Sequence, residues 1–269
     1  MSERVSVSID GGVADVRMNR PDKLNALDQA MFSGLIETAR ELGGNAKVRA
    51  VVLSGEGRGF CAGLDFASFM GMTGGGERSG GPGLLSRGDD SPANFAQLAA
   101  YAWTALPQPV IAAIHGVAFG GGLQIALGAD IRLVAPDARM SVMEIKWGLI
   151  PDMTGSQTLR QLVRLDVAKE LTFTGRVVSG TEAVALGLAT RVSDAPRDGA
   201  LELAREIAAK SPHAIRAGKK LFQESWLGTR REGFALEESL QRGLVGSANQ
   251  VEAVQANLEK RSPRFDDPA

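Results

Sequence analysis

Apolar and polar residues alternate at the start of the chain. VSVSID and VADVRM lie on either side of the pair Gly11-Gly12, and this pattern predicts a β-hairpin. Two later segments, VRAVVLSG and PVIAAIHGVAFGG, are apolar runs rich in β-branched residues. Such runs are typical of buried strands in parallel sheets, and DIRLVAPDARMSV predicts one or two shorter strands after them.

Helical spacing of apolar residues fills the intervals between these strands. In NALDQAMFSGLIETARELG the apolar residues recur roughly on one face, and Asn25 is a possible N-cap. Further helices are predicted in GGLQIALGAD, TGSQTLRQLVR and DVAKELTFTG, and TEAVALGLATRVS predicts a helix followed by a strand. From Asp198 onward the pattern is helical throughout.

The order of these elements predicts the fold class. Strands that alternate with helices favour an α/β fold with mainly parallel pairing. We therefore expect a large α/β domain over residues 1–197 and a helical region over residues 198–269. The glycine-rich stretch from Gly71 to Asp90 interrupts the pattern, and is either a mobile surface loop or a lid beside a site.

Composition and charge exclude several classes of protein. The 30 basic and 31 acidic residues give a formal net charge of -1, which offers no field for nucleic acid or an anionic membrane. Cys61 is the only cysteine, so an internal disulfide is excluded, and two histidines make a structural zinc site unfavourable. No apolar run approaches the ~18 residues of a membrane span, and no signal peptide is evident. We therefore expect a soluble, cytoplasmic protein.

Two glycine-rich segments follow apolar strands and indicate contact with a ligand. They are GEGRGFCAGLD and HGVAFGGGLQIALGAD. Neither has the G-x-G-x-x-G spacing of a dinucleotide site. Glycine also lets the backbone approach a ligand closely and turn its N–H groups into a cavity. Two such loops can direct two N–H donors at one oxygen, and this arrangement stabilises an oxyanion.

Four segments together resemble the signature regions of the crotonase family, the enoyl-CoA hydratases and isomerases. They are NRPDKLNALDQAM, GRGFCAGLD, AAIHGVAFGGGLQIALGADIRL and MEIKWGLIPD, in the order and spacing of the family. The resemblance implies a spiral of ββα repeats, C-terminal helices used in assembly of a homo-trimer or hexamer, and an acyl-CoA thioester substrate. It implies no cofactor apart from the CoA that is part of the substrate.

The resemblance also implies functional positions. The backbone N–H groups of Leu64 and Gly121 match the two donors of the family's oxyanion hole. The positions that match CoA-binding residues are Lys23, Leu24, Ala26, Ala62, Gly63 and Asp65, together with Lys260 and Phe265, which match residues that reach the CoA of a neighbouring subunit.

Acidic residues distinguish the reactions of this family. The resemblance to hydratases implies two glutamates that hold water, but the first of these positions is Gln124, whose amide cannot act as a base. The second is retained as Glu144, and Asp152 follows eight residues later. The dienoyl-CoA isomerases have a glutamate and an aspartate at this interval. They also carry an aspartate at the position of Gln124, so the match is incomplete.

These positions lead to a hypothesis about the reaction. Glu144 and Asp152 would transfer protons while a 3,5-dienoyl-CoA becomes a 2,4-dienoyl-CoA, with Asp152 as the base at C2 and Glu144 as the acid at C6, or the reverse. Apolar neighbours, namely Trp147, Leu149 and Ile150, would raise the pKa of both acids. Gln124 would tune the site through a hydrogen bond.

Other interpretations remain open at this point. The chain could be an enoyl-CoA hydratase that uses Glu144 alone, an enzyme of other acyl-CoA chemistry such as a hydrolase, or a non-catalytic acyl-CoA-binding protein. Asp152 could cap the helix that follows it, and Glu144 could pair with an arginine. We expect Cys61 to be an apolar filler and His115 to be structural.

Overall fold

The computed structural model describes residues 3–67, 83–88 and 91–268. Most of the stretch from Gly71 to Asp90, with its alternatives of surface loop and lid, lies outside these residues. The strands in the described part are β1 Val5–Asp10, β2 Val13–Met18, β3 Ala50–Gly55, β4 Val110–Ile114, β5 Val117–Phe119, β6 Ile131–Val134, β7 Arg139–Ser141, β8 Val178–Ser179 and β9 Arg191–Val192.

Parallel pairing dominates the larger of the two sheets. Its order in the described chain is β1-β2-β3-β4-β6-β9, and the smaller sheet has the order β5-β7-β8. The β1–β2 hairpin is antiparallel, and every later pair of the larger sheet is parallel. The predicted hairpin and the α/β class are therefore confirmed. Because parallel strands end at the same edge, the segments that follow β3 and β4 emerge side by side.

Apart from α2, which the sequence analysis did not predict, the helices occupy intervals with the predicted helical pattern. In the described residues they are α1 Gln29–Gly43, α2 Phe95–Ala105, α3 Gly121–Leu127, α4 Gly155–Leu162, α5 Leu165–Thr174, α6 Gly180–Leu186, α7 Pro196–Ala208, α8 Pro212–Ser225, α9 Arg230–Leu244 and α10 Ala248–Leu258. Short 3₁₀ turns span Pro21–Lys23 and Glu144–Trp147.

The prediction that Asn25 is the N-cap of α1 is wrong. The N-cap of α1 is Asp28, whose Oδ1 accepts a hydrogen bond of 2.8 Å from the backbone N–H of Met31. Asn25 has a left-handed backbone with a φ of 57° and lies three residues before the cap. Both residue types favour caps, but the side-chain amide of Asn25 donates instead to the carbonyl oxygens of Glu56 and Gly59.

Two apolar clusters cover the two faces of the larger sheet. Val51 and Leu53 of β3 belong to the main cluster, whereas Ala50 and Val52 belong to a second cluster with α7. Both faces of β3 are therefore buried, which explains why its sequence does not alternate between apolar and polar residues. Because α7 packs on the sheet, residues beyond 198 contribute to the core, and the division at residue 197 stays a prediction.

The C-terminal segment returns to the edge of the sheet opposite the glycine-rich loops. Arg49, at the amino end of β3, donates a 2.8 Å hydrogen bond to the carbonyl oxygen of Phe265 and forms a 2.7 Å ion pair with Asp267. Helices α8 to α10 retain exposed apolar side chains, including Phe222, Trp226 and Phe234. In the described part of the chain, no helix is long and apolar enough to cross a membrane.

Candidate active site

A cavity of about 140 Å³ lies where the two glycine-rich segments meet. Its lining includes Gly63 and Leu64 from the first segment, Gly121 from the second, and the carboxylic acids Glu144 and Asp152. The fold therefore brings together residues that are up to 89 positions apart in the sequence, from 63 to 152. A larger groove of about 550 Å³ beside α8 contains none of these residues.

Hydrogen bonds on two sides hold the first glycine-rich segment. On one side Cys61 pairs with β5, because its N–H donates to Val117 at 2.9 Å and its carbonyl accepts from Phe119 at 3.0 Å. On the other side the N–H of Leu27 donates to Gly63 at 2.8 Å, and the N–H of Asp65 donates to Leu27 at 3.0 Å. These bonds fix the backbone around Leu64 without using the N–H of Leu64.

Gly63 allows the close approach of the two segments. Its φ is 87°, a conformation that side chains disfavour, and a Cβ at this position would lie 2.6 Å from the carbonyl oxygen of Phe119. The same Cβ would lie 3.7 Å from the backbone nitrogen of Gly121. The absence of a side chain therefore brings Leu64 close to the start of α3.

Two N–H groups are left available at this junction. Within the described residues, neither the N–H of Leu64 nor that of Gly121 donates a hydrogen bond to another protein group. Both residues line the cavity. Preorganised N–H donors of this kind stabilise negative charge as it develops on an oxygen, and removing one donor typically lowers the rate about 100- to 1000-fold.

Glu144 stands beside these donors and is buried. A Cβ on Gly120 would lie 3.3 Å from Oε1 of Glu144, so the carboxylate packs against the residue that precedes Gly121. Oε1 accepts a 2.6 Å hydrogen bond from the side-chain amide of Gln124, whereas Oε2 is buried and has no hydrogen-bond partner among the described residues. No arginine pairs with Glu144 among the described residues, so that alternative is not supported.

Gln124 connects both acid-bearing segments. Its Oε1 accepts hydrogen bonds from the backbone N–H groups of Met153 and Gly155, each at 2.8 Å. Its amide nitrogen donates to Glu144, so both ends of the side chain are engaged. Gln124 thereby binds the first N–H of α4, that of Gly155, whereas the N-cap Thr154 makes no side-chain capping bond. The alternative in which Asp152 caps α4 is therefore wrong, and Asp152 is left facing the cavity.

Burial raises the pKa of both acids. For Glu144 the main cause is loss of hydration, with a smaller contribution from the nearby negative charge of Asp152. The pKa of Asp152 is also raised, again mainly because the carboxyl is shielded from water. Two of the three expected apolar neighbours, Trp147 and Leu149, line the cavity. Ile150 is 72% exposed and lines another groove, so the prediction that it raises the pKa of the two acids is wrong.

The residues expected to bind CoA lie either in the cavity lining or in the segment that precedes α1. Ala62 and Gly63 line the cavity, and Ala62 is tied to Leu24 by a 2.9 Å backbone hydrogen bond. Lys23 is the last residue of the 3₁₀ turn that precedes α1 and is exposed. Ala26 follows it by three residues and is buried. The carboxylate of Asp65 forms a 2.8 Å ion pair with Arg20. This ion pair gives Asp65 a role in holding the loop.

Lys260 and Phe265 are far from the cavity of their own chain. Lys260 follows α10, and the backbone of Phe265 is held at the amino end of β3 by Arg49. The cavity lies at the carboxyl end of the same strand. Within one chain these two residues are therefore not brought together with the other expected CoA-binding residues.

One family model, that of the enoyl-CoA hydratase/isomerase family, matches residues 8–268. The chain belongs to this family. The human mitochondrial enoyl-CoA hydratase domain-containing protein 2 is 34% identical over 95% of the chain and 86% of its own length. The mouse mitochondrial methylglutaconyl-CoA hydratase is 33% identical over 94% of the chain and 79% of its length.

Solved structures agree with this assignment. An enoyl-CoA hydratase from Bacillus anthracis superposes with a TM-score of 0.87 and 30% identity, and the match covers 97% of this chain and 98% of the other. The predicted crotonase fold is therefore confirmed. As a member of the enoyl-CoA hydratase/isomerase family, the chain is an enzyme that acts on acyl-CoA thioesters. The alternative of a non-catalytic binding protein is set aside.

Two positioning residues of this family member were missed by sequence reasoning. The amide of Asn25 donates to the carbonyl oxygens of Glu56 and Gly59, each at 2.9 Å, and thereby fixes the start of the first glycine-rich segment. Arg20 donates to Ala26 at 3.1 Å in addition to its ion pair with Asp65. The only sequence signal for the role of Asn25 was its residue type, because asparagine tolerates a left-handed backbone and Asp28 already supplies a cap three residues later.

Cys61 and His115 are structural in this enzyme, as expected. Cys61 is fully buried, and its thiol donates to the carbonyl oxygen of Asn25 at 3.1 Å. Burial raises the pKa of this thiol to about 12, so it is not a nucleophile at neutral pH. The Nε2 atom of His115 makes a 3.0 Å hydrogen bond with the carbonyl oxygen of Gly57.

Proposed function

We propose that this enzyme isomerises a 3,5-dienoyl-CoA to a 2,4-dienoyl-CoA. The observation that carries the proposal is the pair of carboxyl groups with raised pKa values, Glu144 and Asp152, in one cavity with two available N–H donors. A 1,5-proton shift needs one group that removes a proton and one that delivers a proton. Two carboxyl groups that both retain a proton more readily than usual suit these roles.

The reaction begins at the thioester carbonyl. Its oxygen accepts hydrogen bonds from the N–H groups of Leu64 and Gly121, which makes the C2 protons more acidic. Asp152 removes a proton from C2, and the C2–H electron pair becomes part of a dienolate. Glu144 then protonates C6, so the double bonds move from C3 and C5 to C2 and C4. One C–H bond is broken and one is formed, and no electrons are exchanged with a cofactor.

Gln124 supports this assignment because its oxygen and one of its two N–H groups are already engaged. Its oxygen accepts two backbone N–H groups and its nitrogen donates to Glu144. A water molecule inserted between the amide nitrogen of Gln124 and Oε1 of Glu144 would have to replace the hydrogen bond that joins them. Proton transfer between carbon atoms requires no such water.

Hydration of a 2-enoyl-CoA by Glu144 is a second candidate. It is favoured by the names of the relatives described above, which are hydratases. It is also compatible with Oε2 of Glu144, which has no hydrogen-bond partner and could hold a water molecule. In this reaction Asp152 would have no required role.

Ultraviolet absorbance distinguishes the two reactions. Incubation with 3,5-hexadienoyl-CoA should produce the conjugated 2,4-dienoyl chromophore, and the Asp152→Asn variant should lose this signal while it still binds CoA esters. Crotonyl-CoA in a parallel sample reports hydration through loss of its conjugated absorbance. Hydration of crotonyl-CoA without isomerisation, and with no effect of Asp152→Asn, would overturn the proposal in favour of the hydratase.

Hydrogen exchange at C2 tests the assignment of the two acids. A thioester incubated in deuterated water should exchange its C2 protons with the Glu144→Gln variant, because Asp152 remains as the base. The Asp152→Asn variant should not support exchange. The opposite pattern would reverse the two roles.

We infer a homo-trimer or a hexamer, with Lys260 and Phe265 directed toward the CoA of a neighbouring subunit. Exposed apolar side chains on the C-terminal helices, including Phe222, Trp226 and Phe234, support burial against another copy. Sedimentation and cross-linking measure this assembly. The cytoplasmic location remains a prediction, since the relatives cited here include mitochondrial proteins. The absence of a cofactor likewise remains a prediction.

A further inference from the structure

Aromatic side chains are concentrated around the cavity. Its lining includes Phe32, Phe66, Phe119 and Trp147, in a chain with 10 phenylalanines, 3 tryptophans and 1 tyrosine. Among the described residues, the lining is apolar apart from the two acids and the backbone around the oxyanion donors. An acyl chain that extends from the thioester would therefore meet mainly aromatic and aliphatic side chains.

Phe66 and Trp147 form one wall of the cavity together. Their ring centroids are 4.2 Å apart, and the ring planes are inclined by 33°. Phe66 follows Leu64 of the oxyanion loop by two residues, and Trp147 is in the same 3₁₀ turn as Glu144. The ring pair thus joins the oxyanion segment to an acid-bearing segment. Trp147 is 51% exposed, which puts this wall on the outer side of the cavity.

The two remaining rings are held from behind. Phe32 is fully buried and contacts Phe95, with ring centroids 5.9 Å apart. Phe119 is the last residue of β5, and the guanidinium carbon of Arg139 lies 5.9 Å from its ring centroid. Because Phe32 is fully buried against Phe95, this ring is fixed more firmly than the half-buried Phe119.

The volume of the cavity limits what can be bound. The cavity measures about 140 Å³. An engineered apolar cavity of about 150 Å³ in another protein binds benzene, so a space of this size holds about one aromatic ring or a short chain. Aromatic walls favour a second π system over an alkyl group, because stacked or edge-on rings strengthen binding about two- to tenfold beyond the area that they bury.

We propose that the acyl pocket selects a short, planar, conjugated acyl group over a flexible saturated one. The proposal rests on the proposed function, because it concerns the acyl group that lies between Glu144 and Asp152. It names the substrate class of that site: conjugated short-chain or aryl-bearing acyl-CoA thioesters, in place of long saturated fatty acyl chains.

Calorimetric titration with matched ligands tests the selection. 2,4-Hexadienoyl-CoA is compared with hexanoyl-CoA, and cinnamoyl-CoA with nonanoyl-CoA, so each pair has the same number of carbon atoms and differs in planarity. The full-length Glu144→Gln protein is used, because it lacks the acid that both proposed reactions require. The planar member of each pair should bind about tenfold more tightly. Equal or tighter binding of hexanoyl-CoA and nonanoyl-CoA would overturn the proposal.

Variants of the ring pair test its cause. Trp147→Leu and Phe66→Leu, in the same background, should reduce the preference for cinnamoyl-CoA to about twofold or less, since leucine keeps an apolar wall but removes the π face. Phe173→Leu is the matched control, because Phe173 is 68% exposed on α5 and does not line the cavity. Retention of the full preference in both ring variants would contradict the proposal.

Ligand selection by the acyl pocket and the isomerisation reaction are tested by separate measurements. Binding of the planar ligands is measured without turnover, whereas isomerisation is measured with the wild-type enzyme and 3,5-hexadienoyl-CoA. Selective binding without isomerisation would support the pocket and overturn the reaction. Isomerisation without selective binding would support the reaction and overturn the pocket.

Discussion

The cavity has two polar walls that are built in different ways. The oxyanion wall, Gly63, Leu64 and Gly121, presents backbone N–H groups, and its geometry depends on glycine and on pairing with β5. The acid wall presents the carboxyl groups of Glu144 and Asp152. Gln124 lies behind it and bonds to the side chain of Glu144 and to the backbone N–H groups of Met153 and Gly155. The first wall can stabilise the enolate of any thioester, whereas the second decides where protons are moved. Reaction type can therefore change through the acid wall alone.

The largest expected effect is on the acid wall. Glu144→Gln should lower isomerisation about 100- to 10,000-fold, the range typical of a lost general acid or base. The kcat for 3,5-hexadienoyl-CoA measures this effect, and binding of CoA esters should be retained. If Glu144→Gln and wild type had the same kcat, the proton-transfer role of Glu144 would be refuted.

A change in the oxyanion wall should affect every reaction of the enzyme. In Gly63→Ala the new methyl group would lie 2.6 Å from the carbonyl oxygen of Phe119, so the loop must move and the N–H of Leu64 is displaced. We expect about 100- to 1000-fold lower kcat/KM for dienoyl and enoyl substrates alike. Gly243→Ala on α9 is the control, because a Cβ there meets nothing within 4 Å. Loss of only one of the two reactions would contradict the division between the walls.

Gln124 should have an intermediate effect because it positions other groups. Gln124→Ala removes the hydrogen bond to Glu144 and the acceptor for Met153 and Gly155, and should lower kcat about 10- to 100-fold through misplacement, with little change in KM.

Gln124→Glu is the conservative variant. It keeps the acceptor but puts two carboxyl groups in contact, so a proton is held between them to higher pH. The alkaline limb of its pH–rate profile should move upward. A purely structural role for Gln124 would leave that limb in place.

The wild-type pH–rate profile tests whether two carboxyl groups carry the reaction. The base must be ionised and the acid protonated, and the pKa values of both Glu144 and Asp152 are raised. Activity should therefore fall on acidification at a pH above 3.8, the ordinary value for an aspartate, and fall again on the alkaline side as the acid loses its proton. A profile that is flat through this region would contradict the assignment of two carboxyl groups.

The smallest effect is on stability. When folding raises the pKa of a carboxyl group, the native state loses stability as the pH rises. The loss begins at the pKa of the unfolded state and is complete above the pKa of the folded state. For Glu144 this window starts at 4.5. Glu144→Gln should therefore have a higher free energy of unfolding than wild type near pH 8, and the gap should close near pH 4.5. Urea unfolding at both pH values measures this, and a gap that widened at low pH would contradict the burial argument.

Sequence patterns predicted the elements better than the side-chain contacts between them. Strands and helices follow from local periodicity, which is why the hairpin and α1 were found. The cap of α4 could not be found in this way, because Gln124 lies on α3 and reaches Met153 only in the folded chain. The Asn25 error has the same origin, since that side chain bonds to carbonyl oxygens more than 30 residues away.

The sequence predicted only half of the ring pair, because Trp147 was expected beside the acids and Phe66 was not. Phe66 and Trp147 are far apart along the chain and belong to no periodic pattern. The oxyanion donors, in contrast, were indicated by clustered glycines, because backbone that approaches a ligand closely requires that residue. Positions where the backbone is constrained leave a compositional signal, whereas contacts between distant side chains do not.

Burial of Cys61 makes the enzyme convenient to label. The chain has this single cysteine, and its buried thiol has a pKa of about 12, so thiol-directed dyes should not react with the folded protein. A cysteine introduced at any exposed position can then carry a fluorophore or spin label without removal of a native thiol. Such labels would test the proposed assembly, because they report distances between copies of the chain directly in solution.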